Sequence, residues 1–96
     1  MQHIYIVTYD IRDDKRLRKV FKTCMGYGDH LQLSVFRCEL SRSNLIRLKT
    51  ALAAIINHHV DQILIFNLGP IDSNRPDMVQ YLGQPYTPGD HDAVIV

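Results

Sequence analysis

The chain has 96 residues and a mass of 11.1 kDa, room for one hydrophobic core rather than two. Apolar residues make up 46% and charged residues 22%, which excludes a disordered polymer. The longest apolar run, Ala51–Ile56, is far short of the roughly 18 residues that a membrane-spanning helix needs. Met1-Gln2-His3-Ile4-Tyr5 has neither the charged head nor the apolar stretch of a signal peptide, so a cytoplasmic location is expected. The net charge of +1 hides an asymmetry. Residues 1–50 carry ten Lys and Arg against five Asp and Glu, and residues 51–96 carry one against five. A positive half can meet phosphate; equally, the two halves can be solvated faces of opposite sign.

His3–Tyr9 alternates, with Ile4 and Ile6 on one side and Tyr5 and Val7 on the other. Apolar residues on both faces predict a central strand with a covered face. Asp10 ends it. Asp13 and Asp14 suit the positive end of a helix that follows. Leu17, Val20, Phe21, Cys24 and Met25 then fall within one arc of about 140° at helical spacing. Lys15, Arg18, Lys19 and Lys22 occupy the opposite arc, with Arg16 on the flank. Gly26 and Gly28 are expected to stop the helix by taking the left-handed conformation of a C-cap.

His30–Leu40 is extended, but its apolar parity switches at Val35-Phe36. A one-residue slip exchanges faces, so two short strands broken near Ser34 are expected, by bulge or tight hairpin. Ser41 and Ser43 are both candidate N-caps for a second helix. Its stripe is Leu45, Leu48, Leu52, Ile55 and Ile56, and Asn57-His58-His59 ends it. Gln62–Leu68 reads as a last strand closed by Gly69-Pro70. Strand, helix, two strands, helix, strand is the split βαβ order of a ferredoxin-like α+β sandwich over residues 1–69. Residues 70–96 form a separate arm. It holds all four prolines and ends in Ala93-Val94-Ile95-Val96, an apolar run expected to pair with a sheet edge, its own or a partner's.

Familiar chemical motifs are absent. Gly26-Tyr27-Gly28 lacks a third glycine and follows a helix, and no phosphate loop occurs. Adjacent helical residues diverge by about 100°, so His58 and His59 read as a polar helix terminus rather than a metal pair. His3, His30 and His91 are scattered. Cys24 and Cys38 lie on apolar stripes and read as reduced core residues. Asp10 is the sharpest candidate: a carboxylate at the end of an apolar strand is poorly placed for packing and well placed for a site. A capping or turn aspartate would look the same. One carboxylate makes a poor cage for Mg²⁺, but two copies facing across a twofold axis could share an ion.

Tyr9-Asp10-Ile11 after a strand, then a basic helix, Gly28 and Gln32-Leu33-Ser34-Val35-Phe36-Arg37-Cys38-Glu39-Leu40, together resemble the CRISPR-associated protein 2 family. The resemblance covers residues 1–69 closely and the arm in general layout. It implies a ferredoxin-like homodimer whose C-terminal strands add to the partner's sheet. It also implies a complex with the CRISPR integrase, CRISPR-associated protein 1, in spacer acquisition. Some members are described as metal-dependent endonucleases on single-stranded RNA or double-stranded DNA. On this likeness Asp10 matches the catalytic and metal-binding aspartate, for Mg²⁺ or Mn²⁺, with Tyr9 and Phe36 as flanking aromatics. An ion shared by both Asp10 carboxylates would polarise a phosphoryl oxygen and lower the pKa of bound water. Phe36 would pack the Asp10 loop or stack on a base. One departure is His30-Leu31, which stands where many members carry Arg, and a neutral His is a poorer phosphate ligand. Nucleic-acid contacts are expected from Arg12, Lys15, Arg16, Arg18, Lys19, Lys22 and Arg37. The leading reading is an adaptation subunit that binds nucleic acid and carries a Mg²⁺-dependent endonuclease site. Its rivals are a purely structural scaffold and a stand-alone toxin-like endoribonuclease of the same fold.

Overall fold

A computed structural model describes residues 1–71 and 78–86. The elements run β1 (His3–Asp10), α1 (Asp14–Met25), β2 (Asp29–Gln32), β3 (Val35–Leu40), α2 (Arg42–Ile55) and β4 (Gln62–Pro70). The sheet order is β2-β3-β1-β4 and every pairing is antiparallel, the ferredoxin-like arrangement that the element order implies. The expected strand at 93–96 lies outside the described residues.

Alternation decides which side of the sheet is buried. Tyr5, Val7 and Tyr9 of β1 join Phe36, Cys38 and Leu40 of β3 in the main core. Val20, Phe21 and Cys24 of α1 and Leu48 and Leu52 of α2 close over them. Ile63 and Ile65 of β4 pack against the same cluster, while Leu64 and Phe66 face the other way and are exposed. Met25, counted in the apolar stripe of α1, is exposed at the helix end.

Local chemistry sets the boundaries. The Asp13 side chain caps α1 by accepting from the Arg16 backbone N–H at 3.0 Å. Ser41 caps α2 by accepting from Asn44 at 3.2 Å, and Ser43 lies within the helix. Residues 33 and 34 make the β2–β3 turn, and a register shift between His30 and Gln32 lies beside it.

Two boundaries differ from expectation. Gly26 caps α1 in a right-handed conformation, φ −77°, so no left-handed residue is needed there. The glycine that matters is Gly28, for close approach rather than for φ. A Cβ there would stand 2.5 Å from the Arg37 carbonyl oxygen and collide with the Cys38 Sγ, so any side chain would push β3 away. The second difference is β4, which continues through Gly69-Pro70. A register shift between Ile4 and Tyr5 absorbs the extra residue, and Gly69 takes φ +101°.

Both thiols are buried, and burial pushes Cys24 up to about 12 and Cys38 up to about 11. In the unfolded chain a thiol titrates near 8.5. Above that pH the unfolded chain releases protons that the folded chain retains, so stability falls as pH rises. Each thiol contributes a slope of about 1.4 kcal/mol per pH unit between roughly pH 9 and pH 11. Urea unfolding in reducing buffer from pH 8 to pH 11 should show the decline, and Cys24→Ala should be shallower by about that slope. An equal slope in the variant would mean that Cys24 ionises freely in the fold.

Candidate nucleic-acid interface and the Asp10 turn

Asp10 is the last residue of β1, opposite Gln62 at the start of β4. Alternation puts it on the side of Ile6 and Thr8, away from the helices, while Tyr9 turns inward. Its carboxylate is 66% exposed, and the equally exposed Arg12 guanidinium stands 3.6 Å away. Among the described residues no group of three or more His, Cys, Asp or Glu gathers where a metal ion could be held. Mg²⁺ is often held by one or two carboxylates, with waters and substrate phosphates completing the shell. Asp10 meets the minimum of that donor set, and Arg12 competes for the same oxygens.

Tyr9 and Phe36 hold this turn from beneath. The Tyr9 backbone N–H donates to the Ser34 carbonyl at 3.1 Å, and its hydroxyl reaches the Leu33 carbonyl at 3.5 Å. Burial, reinforced by Cys24, pushes the Tyr9 hydroxyl up to about 12. Phe36 has no exposed surface, so it packs and offers no face to a base. Its ring centroid lies 6.3 Å from Tyr9, 5.6 Å from Phe21 and 5.0 Å from His30. His30 is therefore part of an aromatic cluster, and its Nε2–H donates to the Leu33 carbonyl at 3.2 Å.

The seven basic residues expected to meet nucleic acid divide into two groups. Lys15, Arg18, Lys19 and Lys22 stand exposed on the outer face of α1, and none of them forms an ion pair among the described residues. The three others are paired: Arg12 with Asp10, Arg37 with Glu39 at 2.7 Å, and Arg16 with Asp61. Arg37 alternates with the core residues Phe36 and Cys38, so it lies on the open face of the sheet, away from α1.

Asp61 was not among the candidates. It stands just before β4 in the loop after α2, and its side chain is fully enclosed. It accepts from Arg16 Nε at 2.7 Å and Nη2 at 3.2 Å, from the Arg12 backbone N–H at 2.9 Å and from the Asn57 backbone N–H at 2.8 Å. The Arg16 fork, more than the two backbone donors, holds the carboxyl far below the usual carboxylate range. Asp61 in turn raises the Arg16 guanidinium. His58 and His59 are helix-end residues, as expected: His58 Nε2–H donates to the Ala53 carbonyl, and the His59 backbone N–H donates to the Asn57 side chain.

Among the described residues no helix is long and apolar enough to cross a membrane. The family model of CRISPR associated protein Cas2 matches residues 2–75. A "CRISPR-associated endoribonuclease Cas2" of Geobacter sulfurreducens is 46% identical over 96 residues, covering all of both chains. A "CRISPR-associated endonuclease Cas2" of Halalkalibacterium halodurans is 35% identical over 85 residues, covering 83% of this chain and 85% of its own. Among solved structures, Streptococcus pyogenes Cas2 at pH 6.5 superposes with a TM-score of 0.73 at 35% identity, over 83% of this chain and 99% of that one. A hypothetical protein, TT1823 of Thermus thermophilus, gives 0.76 at 30% identity, over 88% and 94%. With a family match over most of its length and a relative aligned from end to end, this chain belongs to the Cas2 family of CRISPR-associated proteins.

Proposed function

We propose that this chain is a nucleic-acid-binding subunit of CRISPR adaptation. It acts as a homodimer that holds duplex DNA for the CRISPR integrase during spacer acquisition. The observation that carries the reading is the outer face of α1, where four cations stand exposed and form no ion pair among the described residues. A row of such charges suits a phosphate backbone and needs no base contacts. Family membership supplies the biological setting. The open face of the sheet supports the dimer. Ile6 is paired in register with Phe66, and Thr8 with Leu64, and both β4 residues are exposed apolar groups. A second copy would cover them. The reading is tested by titrating the protein into labelled duplex over a salt series, alongside sedimentation to give the oligomeric state. A steep fall of affinity with salt in a dimer is expected, and affinity indifferent to salt would reject it.

A second reading, metal-dependent cleavage at Asp10, is favoured by that residue's exposure at the strand end and by the nuclease names of the relatives. Asp10 would hold the Mg²⁺, and Arg12, 3.6 Å away, would turn from the carboxylate to the phosphate. The ion would polarise a phosphoryl oxygen and activate water. Mass action predicts that Mg²⁺ or Mn²⁺ at a hundredfold excess over Kd stabilises the protein by about 2.7 kcal/mol. Asp10→Asn should abolish that gain while leaving the metal-free stability nearly unchanged, because the pair with Arg12 that it removes is solvent-exposed and the shape is kept. Melts with and without Mn²⁺, beside a cleavage assay on single-stranded RNA and duplex DNA, decide it. Equal metal stabilisation of both proteins would exclude Asp10 as the ligand, and undiminished cleavage by Asp10→Asn would assign the activity to another site or to a contaminating nuclease.

A further inference from the structure

Arg16 lies in the most basic segment of the chain, yet its charge is directed inward. Two of its nitrogens take both oxygens of Asp61, and Nη1 stands 4.0 Å from Asp13 Oδ2. The guanidinium thus sits between two carboxylates, and one of these is completely enclosed. A fork-to-fork pair of this kind fixes both groups, because two parallel charge-assisted bonds must break together before either leaves. The remaining oxygen capacity of Asp61 holds the backbone N–H groups of Arg12 and Asn57. One carboxylate therefore joins the turn after β1, the first turn of α1 and the loop after α2.

We propose that Asp61 is a positioning residue that withdraws Arg16 from phosphate contact and fixes the turn that presents Arg12. The inference rests on the nucleic-acid-binding reading above and adds to it which arginines take part. Arg16 borders an open depression with Arg12, Asp13 and Val60, so a guanidinium freed from Asp61 has solvent, and any phosphate in it, within reach. Asp61 thereby limits the binding surface to Arg12 and the outer face of α1. Removing a negative charge would ordinarily be expected to strengthen binding a little everywhere. The withdrawal of Arg16 makes a sharper statement: one discrete contact is gained, and it is gained through Arg16.

The test is a salt series with labelled duplex DNA on the full chain. Asp61→Asn is expected to make the slope of log affinity against log salt more negative by roughly 0.9, the value of one added phosphate contact. Adding Arg16→Gln to that variant should return the slope to its wild-type value. A merely structural role for Asp61 would lower affinity or leave the slope alone, and either result overturns the inference. Should Asp61→Asn fail to fold, the wild type carries the test by nuclear magnetic resonance. The Arg16 Nε–H should exchange slowly with solvent and keep its shift on adding duplex, while the Arg18 Nε–H exchanges fast and shifts. An Arg16 signal that exchanges and shifts like that of Arg18 overturns the inference. A wild type without duplex affinity overturns the binding reading and this inference together. Salt-dependent binding in which Arg16 responds to duplex overturns this inference alone.

Discussion

Phe36→Ala is expected to cost about 3–5 kcal/mol, the range for removing a fully buried aromatic ring. In a chain of this size each kcal/mol shifts Tm by roughly 4–8 °C, so the variant should melt more than about 10 °C below wild type at equal concentration. The magnitude follows from position. Phe36 is enclosed on β3, paired in register with Val7 of β1 and His30 of β2, and its ring meets Tyr9, Phe21 and His30. It therefore touches two neighbouring strands and α1 at once, and no single neighbour can move to fill the space it leaves. The loss should also reach the Asp10 turn. Tyr9 rests on Phe36, and the Tyr9 backbone is bonded to Ser34 in the turn that leads into β3. Phe36→Leu separates packing from stacking on a base. It keeps most of the buried volume, so it should recover most of the stability and all of the nucleic-acid affinity. A folded Phe36→Leu protein with greatly weakened binding would instead give the ring a direct role at the ligand.

The elements were legible because each rests on a local rule. Alternation in His3–Tyr9 marked the central strand, and both of its neighbours are found in the sheet. Helical spacing from Leu17 to Cys24 gave the buried face of α1, and Asp13 gave its start. The parity switch at Val35-Phe36 marked a real break, a turn with a register shift beside it. What escaped is non-local. Asp61 and Arg16 are 45 residues apart, and nothing in His58-His59-Val60-Asp61 signals that its last member will be enclosed by the first turn of α1. The function of Gly28 is likewise set by β3, which approaches too closely for a side chain, and spacing around the glycine itself suggested a helix cap instead. The continuation of β4 through Pro70 defies its own sequence. Proline lacks the donor for a ladder, but an edge strand tolerates it, and Ile71 still donates to the Gln2 carbonyl at 3.0 Å. The seven basic residues expected to meet nucleic acid could be picked out from the chain. Arg12 and Arg37 pair with carboxylates two residues away, whereas the pairing of Arg16 depended on a carboxylate 45 residues distant.

Changing Lys15, Arg18, Lys19 and Lys22 together to Gln should weaken duplex binding by about a hundredfold or more at physiological salt. Each phosphate contact contributes roughly 0.9 to the slope of log affinity against log salt, so four contacts contribute up to about 3.6. Counterion release is referred to 1 M salt, so at about a quarter of that concentration the slope alone amounts to a factor of about 150, and at physiological salt to more. The four side chains stand exposed on the outer face of α1 without ion pairs among the described residues, so no carboxylate of those residues has to be displaced before they meet phosphate. Glutamine keeps the helix propensity and much of the reach while removing the charge, so stability should change by no more than about 0.5 kcal/mol per substitution. Phosphate contacts position a duplex without reading it, and the loss should therefore be equal on unrelated sequences. Fluorescence anisotropy on two duplexes of different sequence, each across a salt series, measures both quantities. A loss confined to one duplex would mean that α1 reads bases. An unchanged slope on both would mean that the basic face of α1 is only solvated, and the contact surface would then have to be sought at Arg12 and the open face of the sheet.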